Sequence, residues 1–183
     1  MSLNTDYILS IYQNYLTVKD SIKVTRRSLS KEISILHNRT LFEGLKSTEA
    51  NQKLENAGKE FSDLTVLALF ASFERRLRDE ISIKSSKLQE IIPAELGNRI
   101  NELAQKEIKR WQIIEIIDLF DFAVDGSVRG KMKQILEYRN WIAHGKNPGK
   151  LPSIRNVEPK TTYETIAVFI NQINHFCESQ VND

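Results

Sequence analysis

The sequence predicts an all-α protein, folded as an up-and-down bundle of five to six helices in a single domain over residues 1–183. Three observations support this prediction. Apolar residues recur with the 3.6-residue period of a helix, and the period-2 alternation of strands is almost absent. The chain has only seven Gly and four Pro, too few for a turn-rich β protein. Its 183 residues suffice to bury roughly 70% of the unfolded surface without a metal or a disulfide.

Two long helices are expected in the first half of the chain. The first has a candidate cap at Asn4 or Thr5 and an apolar stripe that continues to Ile33 and Leu36. A polar connection follows over residues 38–49. The second helix is expected over residues 54–84, and because it is apolar nearly all round between residues 64 and 73 it should be the central element of the bundle.

Four shorter helices are expected in the second half, each bounded by Gly, Pro or a turn signal. Gly145, Asn147-Pro148-Gly149 and Pro152 end the third of these firmly. The expected elements are a helix from Pro93 to about Ile108, a short apolar helix within residues 111–122, a helix over 128–144 after a turn at 125–127, and a last helix after Pro159.

Composition narrows the class of function. The net charge of +2 is too small to indicate a polyanion partner by bulk charge, so nucleic acid would need a local basic patch. Cys177 is the single cysteine and the three histidines are far apart, so we expect neither a metal site nor another cofactor. The chain shows no signal peptide and no apolar run long enough to span a membrane, which predicts a cytoplasmic protein without a membrane partner.

The helix over residues 128–144 carries an arginine where its apolar stripe should be. Arg139 falls in the middle of the arc formed by the apolar residues of this helix, and burying an unpaired guanidinium is strongly unfavourable. It therefore requires an anion, either a carboxylate or a phosphate. Glu74 falls inside the apolar arc of the second helix in the same way, so an Arg139–Glu74 ion pair is the simplest way to satisfy both.

A histidine ends the same helix. His144 precedes Gly145 in the last turn, where the negative end of the helix dipole favours the imidazolium form. Asn140 lies four residues earlier on the same face, from which it is expected to bond one ring nitrogen and fix the tautomer. A titratable imidazole near an anion-binding arginine suits acid–base chemistry on a phosphate.

The pattern Arg139-Asn140-x-x-x-His144, with the flanking residues Tyr138 and Trp141-Ile-Ala-His-Gly145, resembles the motif of the HEPN superfamily. The upstream segment Ala71-Ser-Phe-Glu-Arg-Arg-Leu-Arg78 resembles the Phe-Glu helix of the RiboL-PSP type of HEPN protein. The similarity covers about half of the chain, from near Phe61 to the last helix.

The resemblance implies a homodimer in which two motif helices face each other across a cleft. It implies a metal-independent endoribonuclease that leaves 2′,3′-cyclic phosphate and 5′-OH ends. In that activity His144 acts as general acid or base, Arg139 stabilises the phosphorane and Asn140 orients the histidine or the RNA, with Glu74 in support. A role as a toxin or phage-defence effector, with an antitoxin or other defence partner protein, belongs to the same implication.

Basic residues after the motif are candidates for contacts with RNA phosphates: Lys146, Lys150 and Arg155. Two other interpretations stay open. The chain is alternatively a non-catalytic HEPN module that binds RNA or a nucleotide, or a structural dimer in which Arg139 and Glu74 form an ion pair. Trp111 and Trp141 are expected in the core or at an interface rather than as platforms on which a base stacks.

Overall fold

The computed structural model describes residues 6–31 and 34–180, and within these ranges the chain forms six α helices and no strand, which confirms the all-α prediction. The candidate cap residues Asn4 and Thr5, and Ile33, lie outside the described residues. The helices are α1 (Asp6–Ser30), α2 (Ser47–Ser86), α3 (Ala94–Ile108), α4 (Ile113–Leu119), α5 (Gly126–Ala143) and α6 (Pro159–Ser179).

Helices α1 and α2 are antiparallel. The ring of Tyr15 stacks on Phe61 at a centroid distance of 6.2 Å, and further along α1 Leu29 packs against Leu54. Between these contacts Gly58 faces Ile22, whose Cδ1 lies 3.5 Å from the position that a Cβ would take. The small residue in the interior of α2 therefore lies where α1 approaches it.

Helix α6 runs parallel to α2, and α5 runs antiparallel to α6. The rings of Phe73 and Phe169 meet edge to face with their centroids 5.1 Å apart. Further toward the C-terminal ends of both helices, Lys84 Nζ lies 3.4 Å from Cys177 Sγ. The start of α5 is joined to the later part of α6, where the amide of Asp125 donates to Gln172 Oε1 at 3.1 Å. Helices α1, α2, α5 and α6 thus alternate in direction as an up-and-down bundle.

The main core lies between these four helices and α4. Its largest fully buried side chains come from α2, α4, α5 and α6. They include Phe70, Phe73, Leu77, Met132, Tyr138 and Phe169. A fully buried Leu, Ile, Phe or Met side chain contributes about 1.5–3 kcal/mol by its removal from water. A smaller cluster of Leu29, Ala50 and Leu54 joins the end of α1 to the start of α2. Nowhere in the described ranges is a helix both long and apolar enough to cross a membrane.

Two helix boundaries differ from the sequence prediction. Helix α1 ends at Ser30 and not at Leu36, and the apolar side chains beyond it are not buried: Ile35 is 76% and Leu36 58% exposed. Helix α2 begins at Ser47, two turns earlier than expected, although its first turns are polar. Ala50 explains the difference, because it is fully buried and anchors this end of α2 in the smaller cluster.

Two glycines in helix interiors give a matched test of packing. A Cβ on Gly97 would lie 2.7 Å from the carbonyl oxygen of Leu88, whereas a Cβ on Gly130 would meet nothing within 4 Å. We expect Gly97→Ala to lower the free energy of unfolding by about 1–3 kcal/mol, because backbone must move. Gly130→Ala should raise it by about 0.5–1 kcal/mol through helix propensity. Urea denaturation measures both, and a stabilising Gly97→Ala would contradict the described contact.

Candidate functional site

The end of α5 is closed by a Schellman turn that presents His144. The amide of Lys146 donates to the carbonyl of Trp141 at 2.8 Å, and the amide of Gly145 donates to that of Ile142 at 3.0 Å. Both Gly145 (φ 76°) and Lys146 (φ 57°) have left-handed backbone conformations. A lysine in this region is strained, so a further interaction must hold it there.

That interaction is an ion pair with Asp63, a buried carboxylate of α2. Lys146 Nζ forms an ion pair with Asp63 Oδ2. This oxygen accepts no hydrogen bond of good geometry from the described residues. The other oxygen, Oδ1, accepts a hydrogen bond of 2.7 Å from the hydroxyl of Tyr138. Asp63 is only 4% exposed. One carboxylate of α2 therefore holds both α5 and the turn that follows His144.

Arg139 lies at the edge of the core and meets no anionic group of the described residues. Its side chain is half-buried, its Nη1 donates to Asn140 Oδ1 at 3.0 Å, and its buried Nε has no hydrogen-bond partner in the described residues. No carboxylate of the described chain is within 4.0 Å of it. Arg76 also has a buried unpartnered Nε, but Arg76 lies 3.9 Å from Glu80. Arg139 is thus a partly buried cation in the structure, and the anionic ligand that the sequence analysis requires for it stays a prediction.

The expected Arg139–Glu74 ion pair is wrong. Glu74 is half-buried on α2, but its Oε1 accepts hydrogen bonds from Nη2 (2.8 Å) and Nε (3.2 Å) of Arg78, one turn away on the same helix. Arg78 then donates to the carbonyl oxygens of Ile108 and Trp111, which ties α2 to the end of α3. Glu74 is thus neutralised locally and its pair joins helices away from α5.

Asn140 and His144 are not joined as expected. The side-chain oxygen of Asn140 accepts a hydrogen bond from Arg139 and not from the His144 ring. In the described structure Asn140 and His144 share one hydrogen bond, from the His144 amide to the Asn140 carbonyl oxygen at 3.0 Å. The His144 imidazole is exposed and no group of the described chain bonds it. Asn140 therefore positions the guanidinium, and the imidazole is free for a ligand or a second protein chain.

A cavity of about 590 Å³ lies beside His144. The returning loop after α5 forms one part of its wall, and the amide and hydroxyl of Ser153 attach this loop to Glu137 Oε2 at 3.2 and 2.6 Å. These two donors hold the pKa of Glu137 below its usual range. Helix α5 contributes Glu137, Asn140, Trp141 and His144 to the wall, and the loop contributes Asn147, Lys150, Leu151 and Pro152.

The three basic residues predicted to contact RNA have different surroundings. Lys146 is turned inward to Asp63, and its side chain remains only 38% exposed, so its main contact is structural. Lys150 is exposed at the cavity next to His144. Arg155 is exposed further along the loop and does not line the cavity. Two of the three cations are thus available to an anionic ligand.

No protein-family model matches the chain, and no match is found among the curated proteins or among the solved structures. The family resemblance therefore rests on the motif residues and on the all-α fold. The site has to be judged by its own chemistry.

Three residues that shape the site were not predicted from the sequence. Asp63 is a single acid before an apolar run, and its partners are 75 and 83 positions away, a separation that helical periodicity does not report. Glu137 and Asn147 have the appearance of ordinary surface residues. One usable signal was the spacing of Glu137, Asn140, Trp141 and His144, which places them along one face of α5.

Replacing Lys146 separates the ion pair from the backbone strain. Lys146→Ala leaves the buried Asp63 carboxylate without its cation, and we expect a loss of about 1–3 kcal/mol in the free energy of unfolding. Lys146→Gly loses the same ion pair but removes the left-handed strain, so it should be about 1 kcal/mol more stable than the alanine variant. Denaturant unfolding compares the two variants. Equal stabilities would show that Lys146 is not strained.

Tyr138 makes stability depend on pH at the alkaline end. Burial, and then the hydrogen bond to Asp63, raise the pKa of Tyr138 well above its usual value. In the unfolded chain the phenol has its ordinary pKa of about 10. Above that pH the unfolded state binds fewer protons than the folded state, so the free energy of unfolding falls by up to about 1.4 kcal/mol per pH unit. Tyr138→Phe is expected to lack this component. The stability gap between wild type and Tyr138→Phe should therefore narrow between pH 10 and 11, and a constant gap would contradict the assignment.

Proposed function

We propose that the protein is a homodimeric, metal-independent endoribonuclease of the HEPN type, which cleaves single-stranded RNA to leave 2′,3′-cyclic phosphate and 5′-OH ends. The observation that carries the proposal is the guanidinium of Arg139. It is partly buried, lacks a carboxylate in the described chain, and lies on the helix that ends in an exposed imidazole. A phosphate is the anion that suits both groups.

The chemistry assigns a separate task to each motif residue. His144 accepts the proton of the ribose 2′-OH as O2′ attacks the adjacent phosphorus, and the bond from phosphorus to O5′ breaks. Arg139 binds the non-bridging phosphate oxygens, on which negative charge increases in the transition state. Asn140 holds Arg139 through the 3.0 Å hydrogen bond to Nη1. Lys150 and Arg155 bind neighbouring phosphates of the strand.

A second copy of the chain completes the acid–base pair. The leaving O5′ requires a proton from the side of the phosphorus opposite to the attacking O2′. In a dimer with facing α5 helices, the second His144 supplies this proton as an imidazolium. The apolar side chain of Ile154, which is 36% exposed in the loop after α5, is suited to the contact between copies.

A toxin or phage-defence role, with an antitoxin or other defence partner protein, extends this proposal. A partner protein of this kind would inhibit the nuclease by covering His144 and Arg139. The exposed site at the end of α5 offers such a protein a single surface to cover.

A second candidate function is a non-catalytic module that binds RNA or a nucleotide in the same cleft. The observation in its favour is that no side chain of the described residues orients the His144 ring. An imidazole without an orienting hydrogen bond is poorly prepared for proton transfer. This module would bind RNA with strong salt dependence and would not turn it over.

RNA cleavage in the presence of EDTA tests the first proposal. We expect wild-type protein to cut single-stranded RNA into products with 2′,3′-cyclic phosphate ends, and His144→Ala to be slower by about 10²–10⁴-fold because it lacks the proton acceptor. Arg139→Lys should also be slower, because an ammonium cannot reproduce the planar guanidinium. The cyclic phosphate ends are identified by their resistance to phosphatase, and the 5′-OH ends by labelling with a polynucleotide kinase.

Two matched variants control this experiment. His175→Ala removes an exposed histidine of α6, and Arg75→Ala removes an exposed arginine of α2, and both should cut RNA as wild type does. If wild type leaves varied RNAs intact but binds them, and Arg139→Ala does not bind, the non-catalytic module is the better description. If His144→Ala cuts as fast as wild type, the assigned chemistry is wrong.

A further inference from the structure

The cavity beside His144 combines apolar wall surface with a few polar groups. The indole of Trp141 packs against the core beside Tyr138, as expected for a core residue, and it also lines the cavity. Its one N–H donates to the carbonyl of Asn147 at 3.0 Å, so the part of the ring at the cavity offers a ligand carbon surface only. Leu151 and Pro152 add further apolar surface. The volume of about 590 Å³ falls within the range of small-molecule sites, about 300–1,000 Å³.

Two side-chain amides at the cavity have fixed orientations. Asn140 Oδ1 accepts from the Arg139 guanidinium, and Asn147 Oδ1 accepts from the amide of Gly149 at 2.9 Å. Both partners are obligate donors, so each amide must present its oxygen to the protein. The NH₂ group of each amide has no partner in the described residues. The cavity therefore offers a ligand two neutral donors next to the ammonium of Lys150.

Glu137 provides the complementary acceptor. Its Oε2 accepts both donors of Ser153, while Oε1 has no partner in the described chain. Aromatic surface, amide donors and one carboxylate acceptor together match the face and the edge of a nucleobase. Proteins that read single-stranded RNA use this combination of stacking on aromatic rings and hydrogen bonds to base edges.

We propose that this cavity is a nucleobase pocket, that it holds the base beside the phosphate bound at Arg139, and that it favours guanine. The position of the phosphate rests on the proposed function, whereas the pocket does not. Guanine presents two adjacent N–H groups, N1–H and N2–H, to a single carboxylate oxygen, and the acceptors O6 and N7 to amide donors. Uracil places carbonyl oxygens on both sides of its one N–H, so the carboxylate repels it.

Binding of 3′-nucleoside monophosphates to the full-length wild-type chain, measured by calorimetry, tests the pocket. We expect 3′-GMP to bind tightest and 3′-UMP weakest, and ribose 5-phosphate and inorganic phosphate to bind at least about tenfold more weakly than 3′-GMP, because a stacked base contributes about 1–3 kcal/mol. Trp141→Ala should weaken all four nucleotides by about tenfold or more. Circular dichroism and thermal unfolding establish that the variant is folded.

Glu137→Gln tests the preference without relying on Trp141. The glutamine oxygen continues to accept from Ser153, so its NH₂ replaces the acceptor in the cavity, and the advantage of 3′-GMP over the other nucleotides should disappear. Glu102→Gln, at an exposed position of α3, is the matched control and should keep it. If Glu137→Gln leaves the preference unchanged, the guanine assignment is overturned.

The outcomes separate this proposal from the proposed nuclease. Base-dependent binding by a protein that does not cleave RNA supports the pocket and contradicts the nuclease. RNA cleavage with equal binding of nucleotides and ribose 5-phosphate overturns the pocket and leaves the nuclease intact. A third outcome is that no nucleotide binds in a base-dependent way and that Leu151→Asp abolishes a dimer seen for wild type in sedimentation experiments. The cavity is then an interface between copies of the chain, and the pocket is overturned.

Discussion

The buried carboxylate of Asp63 determines where the candidate site lies. Its two oxygens contact α5, through Tyr138, and the turn after α5, through Lys146. Because Lys146 is drawn inward, the two left-handed residues of the Schellman turn close the helix just after His144 and the imidazole remains exposed. A local backbone strain of this kind persists only where the surroundings over-determine it. The presentation of His144 is thus a consequence of packing between α2 and α5.

The acids of α2 explain why Arg139 meets no carboxylate of the described chain. Three acids of α2 are buried or half-buried, and each is already matched by a cation: Asp63 by Lys146, Glu74 by Arg78, and Glu80 by Lys84 and Arg76. The one hydrogen bond that Arg139 makes in the described chain is to a neutral amide, which leaves its charge uncompensated. A partly buried cation in this situation is unfavourable for the isolated chain and favourable in the presence of an anionic ligand.

Helical periodicity predicted the features that depend on one helix at a time. The fold class, the bounds of α3 to α6 and the conflict at Arg139 all follow from which face of a helix is apolar. The Glu74 error arises within one helix, because Arg78 lies four residues further along the same face and binds the carboxylate first. The other errors arise where two helices meet. Ala50 begins α2 early because Leu29 packs on it, and Asp63 is paired across 83 residues by a lysine in a turn.

The exposed and unoriented imidazole of His144 also limits what a single chain can do. In-line displacement at phosphorus requires a base on the side of O2′ and an acid on the side of O5′, and one ring beside one phosphate cannot occupy both sides. The described residues contain no second histidine near the cavity, since the wall has His144 alone. Asn140, which lies close enough in sequence to orient the ring, bonds Arg139 instead. Under the proposed chemistry, the acid and the group that orients the base must both come from a second copy of the chain or from the RNA. Catalysis and dimerisation therefore depend on the same surface around α5.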